Sequence, residues 1–303
     1  MTRPSGEQIQ LVAGEHRAVV VEVGGGLRSY SVGGRPLIDG YTAEKMATAG
    51  RGQLLLPWPN RIEDGAFELD GRSHQLPLTE VEAGNAIHGL VRWSRFAIVD
   101  RQPHRAVLEH RLYPQPGYPF ALDVRIEYAV SDGGLSVRTT ATNAGEERCP
   151  FGAGAHPYLA PGAPTVDTVL LRAPARVVLQ SNGRGIPDGS MPVAGTPFDF
   201  RSERPIGATV LDHAFTELYR DAGGIARVSL RDPAGGHAVS LWVDKAYPYL
   251  MIFTGDPLPD VARRAVAVEP MTCPPNAFRS GTDLIVLDPG ESFTGTWGIS
   301  PGA

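Results

Sequence analysis

Between residues 122 and 130 the side chains alternate: Leu122, Val124, Ile126, Tyr128 and Val130 fall on one face, Asp123, Arg125 and Glu127 on the other. A period of two belongs to a half-exposed antiparallel strand, and a helix, with its period of 3.6, cannot use it. Residues 134–143 repeat the pattern after the turn Asp132-Gly-Gly134. The chain has 36 glycines and 27 prolines in 303 residues, enough punctuation to favour many turns over long helices.

Further strands are expected at 18–23, 54–56, 168–171, 176–180, 226–231, 238–244, 249–254, 266–269, 284–287 and 292–299, with a hairpin turning at Asp70-Gly71. The stretch 41–53 is the most helix-like, although Gly50 and Gly52 cut it short. Gly24-Gly-Gly26 follows a strand but lacks the GxGxxG spacing and a following helix, so a tight turn is expected and not a dinucleotide loop. No linker, low-complexity tract or repeat divides the chain. The expectation is an all-β protein, residues 1–303 forming one large antiparallel β-sandwich with little helix.

The net charge of −5 and the lack of a Lys/Arg block argue against nucleic acid or an anionic membrane as a partner. The first residues contain no apolar signal core, and no segment approaches the ~20 apolar residues of a membrane span, so a cytoplasmic protein is expected. Cys149 and Cys273 are too few for a disulfide framework. Two reduced, buried thiols are expected, with a single bridge as the alternative.

Chemistry concentrates in a few places. Ala265-Val-Ala-Val-Glu269-Pro270 runs small apolar residues into a carboxylate, and glutamate is rarely buried without a partner or a task. Pro270 biases Glu269 to an extended conformation, expected at a strand end. Gly152-Ala-Gly-Ala-His156-Pro157 repeats the device with an imidazole, behind small residues that suit close approach. His88, in Asn85-Ala-Ile-His-Gly89, also sits among small neighbours, whereas His16, His74, His104, His110 and His237 have charged or polar ones. Arg61 follows Asn60 in a segment stiffened by Pro57 and Pro59, which presents a guanidinium fork suited to hydroxyls. Of Asp212 and His213 only one can face a pocket, since strand neighbours point to opposite sides. Trp58, Trp93, Trp242 and Trp297 are read first as core residues. A metal set of His88, His156, Glu269 and Asp212 has no close-spaced ligand pair behind it. GxSxG, Walker A, HExxH and zinc-deaminase patterns are absent.

In order along the chain, Pro59-Asn-Arg-Ile62 with Gly65 and Phe67, Asn85-Ala-Ile-His-Gly89, Gly154-Ala-His-Pro-Tyr158, Leu211-Asp-His-Ala-Phe215, and Val268-Glu-Pro270 with Pro275-Asn-Ala-Phe278 resemble the aldose 1-epimerase (galactose mutarotase) family. The resemblance implies a β-supersandwich, with Glu269 at the position of the general base and His156 at that of the general acid. It also implies that Arg61, His88 and Asp212 hold sugar hydroxyls, and Asn60 is grouped with them. Ala155 and the run after His156 depart from the better-studied galactose mutarotases and resemble a bacterial branch, which leaves the choice of sugar open. A hexose-6-phosphate branch is disfavoured because no extra basic cluster stands near the motifs.

The expected activity is interconversion of α and β anomers of a free, neutral aldohexose such as glucose or galactose, with no cofactor, by a monomer or homodimer. A carboxylate with an ordinary pKa of about 4.3 would be ready as a base, and an imidazole near 6.5 could be held protonated by a neighbouring carboxylate. The rival reading is a non-catalytic sugar-binding module on the same fold, which has no need of an acid/base pair.

Overall fold

The computed structural model describes residues 3–259 and 261–302. A nine-stranded antiparallel sheet runs in the order Ala97–Gln102, Arg105–Leu112, Leu122–Ser131, Gly134–Asn143, Ser292–Pro301, Ala238–Val243, Ala226–Arg231, Leu170–Arg172, Arg204–Pro205. An eight-stranded sheet is built around Val266–Met271, with Tyr249–Phe253, Asp212–Thr216, Val177–Ser181 and Pro187–Pro192 to one side. Gly154–Ala155, Leu54–Leu55 and Tyr158–Leu159 lie to the other. Side chains of both sheets, among them Val178, Phe215, Ile252, Val266, Val268, Leu230, Leu241 and Ile299, share one core, as a sandwich requires. A smaller sheet of Gln8–Ala13, His16–Val21, Leu27–Val32 and Arg35–Pro36 packs on the strand Leu122–Ser131.

The alternation in Leu122–Ser131 holds: its even-numbered apolar residues are buried, while Arg125 is exposed and Asp123 and Glu127 are partly so. The Asp70-Gly71 hairpin forms, pairing Ala66–Leu69 with Arg72–Gln75. Among the described residues the one α-helix is the single turn Ala277–Ser280, and no helix is long and apolar enough to cross a membrane. The stretch 41–53 is loop with only turns, not helix. Gly50 and Gly52 have φ of 77° and 67°, which right-handed helix cannot accommodate. Cys149 and Cys273 are both free and buried.

The strand Val266–Met271 is buried at all six positions, and the alternation along it explains its sequence. Val266 and Val268 face the shared core. Ala265 and Ala267 pack on the opposite face with Tyr158, and Glu269 follows on that same outer face. Glu269 is not at the strand end, since pairing with Tyr249–Phe253 continues through Leu250↔Pro270 to Tyr249↔Met271. A proline is tolerated there because the ladder on the other side parts. Gly154 pairs Met271 and Tyr158 pairs Ala267, and residues 155 and 156 lift away between them while the Pro157 carbonyl accepts from Val268 N–H at 3.1 Å. The imidazole of His156 enters through that parting.

Candidate active site

A two-stranded ribbon supplies one wall. Arg61–Glu63 pairs with Asn85–Ile87, which sets Asn60 and His88 opposite each other just beyond it. The His88 N–H donates to the Asn60 carbonyl at 2.9 Å, and both residues have positive φ, 64° and 54°. Asn and His are among the side chains that tolerate this region, which turns both inward. The Asn60 Oδ1 accepts from its neighbour's backbone, Arg61 N–H, at 3.0 Å.

The second wall is the outer face of the eight-stranded sheet. Asp212 pairs Phe253 and Met251 pairs Glu269, so Asp212 and Glu269 share that face. Phe215, in phase with His213, points into the core, and the His213 ring lies 4.5 Å from Phe198. Asp212 is therefore the member of its pair that faces the pocket.

These walls enclose a pocket of about 330 Å³ whose lining includes Asn60, Arg61, His88, His156, Asp212 and Glu269. All six residues singled out in the sequence meet there. His156 Nε2 lies 3.3 Å from Glu269 Oε1, with both side chains almost fully buried. The His88 ring stands edge-on to His156 at 5.3 Å between centroids. Tyr158 stacks on the other side of His156 at 4.9 Å, its hydroxyl donating to the Ala49 carbonyl, and Arg51 lies over Tyr158 at 4.4 Å while bonding Asp39. The ring of His156 is thus clamped. Its Nδ1, the Nδ1 of His88 and Glu269 Oε2 are buried with no hydrogen-bond partner among the described residues. Unpaired buried polar atoms are costly and rare, and three of them on residues that line one pocket mark a place for a ligand.

The charges differ from the sequence expectation. Burial raises Glu269 well above the usual carboxylate value, the charge of Asp212 adds to the rise, and Arg61 opposes it. Burial pushes His156 down to about 3, with the fields of Arg51 and Arg92 adding to the effect. A free carboxylate facing an imidazolium was expected. Both shifts instead favour the neutral forms, a carboxylic acid beside an imidazole, which together hold one proton. His88 is likewise driven well below its ordinary value by burial, then by His156 and Arg92. Desolvation raises Asp212 against the pull of Arg61, although the residue itself is exposed at the mouth.

Several functional neighbours carried no sequence signal. Glu80 receives Arg61 in a fork, Nε to Oε2 and Nη2 to Oε1, each at 2.9 Å, and Asn85 donates to it at 2.8 Å. Burial alone would raise Glu80, but these bonds outweigh it and hold it below the usual value. Arg61 is therefore held by a partner rather than presented bare. Asn276 donates its N–H to the Arg61 carbonyl at 2.6 Å and accepts from Glu63 N–H at 3.0 Å, so the motif around it positions the ribbon. The small residues before His156 admit protein: a Cβ on Gly154 would meet Pro59 at 2.8 Å and the Pro270 carbonyl at 3.0 Å. Trp58 and Trp297 are core residues as expected, whereas Trp93 is 52% exposed and lines the pocket. Arg92 lines it too, a single basic residue that the search for a basic cluster does not find. Its position four residues beyond His88 was the available clue. His88, His156 and Glu269 have potential ligand atoms within 4.8 Å of one another, and Asp212 lies outside that group.

The fold is thus a sandwich that carries a buried carboxyl–imidazole pair in a polar pocket. The aldose 1-epimerase family model matches residues 7–300, and the chain belongs to that family. It is 35% identical over 288 residues to the uncharacterized protein YihR of Escherichia coli K12, covering 95% of this chain and 91% of that one. It is 28% identical over 160 residues to galactose mutarotase of Pongo abelii, covering 50% of this chain and 46% of that one. Among solved structures it superposes on the GalM/aldose epimerase homologue from C. elegans with a TM-score of 0.87 at 18% identity, covering 98% of each chain.

Proposed function

We propose that this protein interconverts the α and β anomers of a free aldohexose, with Glu269 as general base and His156 as general acid. The contact between these two buried groups, each with a second polar atom left unpaired, is the observation that carries the reading. The C1 hydroxyl oxygen and the ring oxygen O5 share one carbon, so side chains 3.3 Å apart can reach both. Glu269 takes the proton of the C1 hydroxyl while His156 delivers one to O5. The C1–O5 bond breaks, C1 becomes an aldehyde, and rotation about C1–C2 followed by the reverse transfers closes the ring in the other configuration. One proton on the pair suffices, because each cycle takes one and returns one. The proton must reside on His156 when the base acts, and binding supplies the change: hydroxyls placed against Glu269 Oε2 stabilise the carboxylate by hydrogen bonding.

Arg61, His88, Asp212 and Asn60 hold the remaining hydroxyls. Glu80 keeps Arg61 oriented, so that its unoccupied N–H groups approach the sugar without a large loss of side-chain freedom. Kinship with a protein named galactose mutarotase supports the same chemistry.

Polarimetry of freshly dissolved α-D-glucose and α-D-galactose tests it. Added protein should speed the drift to equilibrium, and Glu269→Gln or His156→Asn should each reduce the acceleration by about 10²–10⁴-fold. No acceleration of any aldose in a broad panel, or equal rates with wild type and both variants, would sink it.

A further inference from the structure

The ribbon beside Arg61 and His88 belongs to neither large sheet: Arg61–Glu63 and Asn85–Ile87 form a two-stranded sheet of their own. Glu269 and Asp212 stand on the eight-stranded sheet. Whatever fixes the ribbon against that sheet therefore fixes the sugar-holding groups against the base. Asn276 does so from one side, through the Arg61 carbonyl and the Glu63 N–H. The other side is closed by a turn, residues 182–186, which joins Val177–Ser181 to Pro187–Pro192 within the eight-stranded sheet.

The side chain of Asn182 shapes this turn by accepting from Arg184 N–H at 2.8 Å and from Ile186 N–H at 3.2 Å. Gly185, at a φ of 71°, brings the backbone so close that a Cβ there would lie 2.6 Å from Nη1 of Arg61. From the turn, Arg184 reaches into the loop that leads to the ribbon's second strand. Its Nε donates to the Ala83 carbonyl at 2.7 Å and its Nη2 to the Gly84 carbonyl at 2.9 Å. Nη1 meets Glu63 at 3.2 Å and Nη2 meets Asp64 at 2.7 Å. The buried amide of Asn85 answers by donating to the Arg184 carbonyl at 3.0 Å and to Glu80 Oε2 at 2.8 Å, the carboxylate that forks Arg61. The carboxylate contacts of Arg184 are partly exposed ion pairs and contribute little. Its carbonyl contacts differ, because a planar fork that spans two successive carbonyls holds them in one relative position.

We infer that Arg184 is a positioning residue for sugar binding: it latches the loop 80–85 to the eight-stranded sheet, so that Glu80, and through it Arg61, keeps its place relative to Glu269 and His156. The inference rests on the anomer-exchange reading, in which Arg61 holds a sugar hydroxyl. Arg184 itself stands outside the pocket lining, so it acts only through the groups it holds. Arg61 meets the sugar away from the reacting C1 and O5, in the bound sugar and in the transition state alike. Loosening it therefore weakens binding in both, which reads as a higher KM with kcat largely kept.

Anomer interconversion of D-glucose and D-galactose is read by NMR magnetisation transfer between the α and β anomeric protons, corrected for the spontaneous rate in the same buffer. Arg184→Met should raise KM about tenfold, the scale of one charge-assisted hydrogen bond, with kcat changed less than about threefold. Arg184→Lys should recover part of the loss, since an ammonium keeps the charge beside Glu63 and Asp64 but does not span both carbonyls. The deciding comparison is made in the Arg61→Met protein, where adding Arg184→Met should lower kcat/KM by about twofold or less, because the group it acts through is already gone. A further tenfold loss in the double variant, or a fall in kcat with KM unchanged, would overturn the inference and leave the mutarotase reading standing. If Arg184→Met does not fold, the same cycle is run with Arg184→Lys. Amide hydrogen exchange reads the latch without any sugar. Glu80 N–H and Asn85 N–H bond each other's carbonyls at 3.0 and 3.1 Å, and both should exchange about tenfold faster once Arg184 is replaced. Unchanged protection there would overturn the latch. Wild type that accelerates no sugar would instead overturn the mutarotase reading, with amide protection still deciding the latch.

Discussion

The carboxyl of Glu269 and the imidazole of His156 touch at 3.3 Å, yet they come from segments more than a hundred residues apart, a strand and a connection, and meet only where the ladder beside Pro270 parts. Burial raises one pKa and lowers the other, and both shifts favour a pair that carries a single proton. The pH profile of kcat/KM should therefore be broad. Its acid limb, where His156 gains a second proton for the pair, should lie well below the ordinary histidine value of about 6.5. Rates measured from pH 4 to 9 check this, and an acid limb centred near 6.5 would show that His156 titrates as an exposed histidine.

Glu269→Gln should stabilise the protein while inactivating it. The folded-state pKa of Glu269 is raised, so its contribution to stability is full below the unfolded value of about 4.5 and is lost as pH rises through the folded value. Above that point wild type carries a penalty that the amide lacks. Thermal melts should show the variant gaining at pH 8, by ~2–4 °C per kcal/mol relieved, with a smaller gain at pH 4. A variant that melts lower than wild type at pH 8 would contradict it.

Gly50→Ala should impair catalysis. A Cβ at this position would lie 2.4 Å from Cδ2 of His156, and the φ of 77° disfavours any side chain. The backbone is fixed on both sides, Gln53 N–H bonding the Gly50 carbonyl and Gly52 N–H that of His156, so the imidazole has to yield. A fall in kcat of about 10²-fold is the expected scale for a displacement near 1 Å at a catalytic group. A fold that stays intact by circular dichroism with unchanged kcat would refute it.

Zinc should inhibit and a chelator should not. The ligand atoms of His88, His156 and Glu269 fit a divalent cation, but they are the atoms the acid/base reading uses, so metal and sugar compete. Added Zn²⁺ should raise the apparent KM for the aldose, and EDTA should leave the rate of metal-free protein unchanged. Loss of activity in EDTA that returns with metal would overturn the cofactor-free mechanism.

The candidate site was legible where local chemistry is strict. A carboxylate and an imidazole, each before a proline and after small residues, stand out in the sequence itself, and the valine–alanine alternation before Glu269 reports which face is core. What stayed hidden depends on contacts between distant segments. Nothing in the neighbourhood of Glu80 marks it as the partner of Arg61, and nothing around Gly50 says that its missing side chain makes room for His156. The helix-like reading of 41–53 failed because composition there suits a helix while the loop is shaped by what it covers. Arg92 gives no sequence signal because a single basic residue is not a cluster, although it lines the pocket.

The strand Ser292–Pro301 sits in the middle of the nine-stranded sheet, hydrogen-bonded to Gly134–Asn143 on one side and Ala238–Val243 on the other. The two halves of that sheet have no ladder between them until this segment is inserted, and its partner strand was laid down some 150 residues earlier. Such long-range closure is slow, because the entropy of bringing the ends together is lost before the ladder forms. Newly made chains therefore pass through a stage with two open sheet edges, when they are most open to wrong pairing.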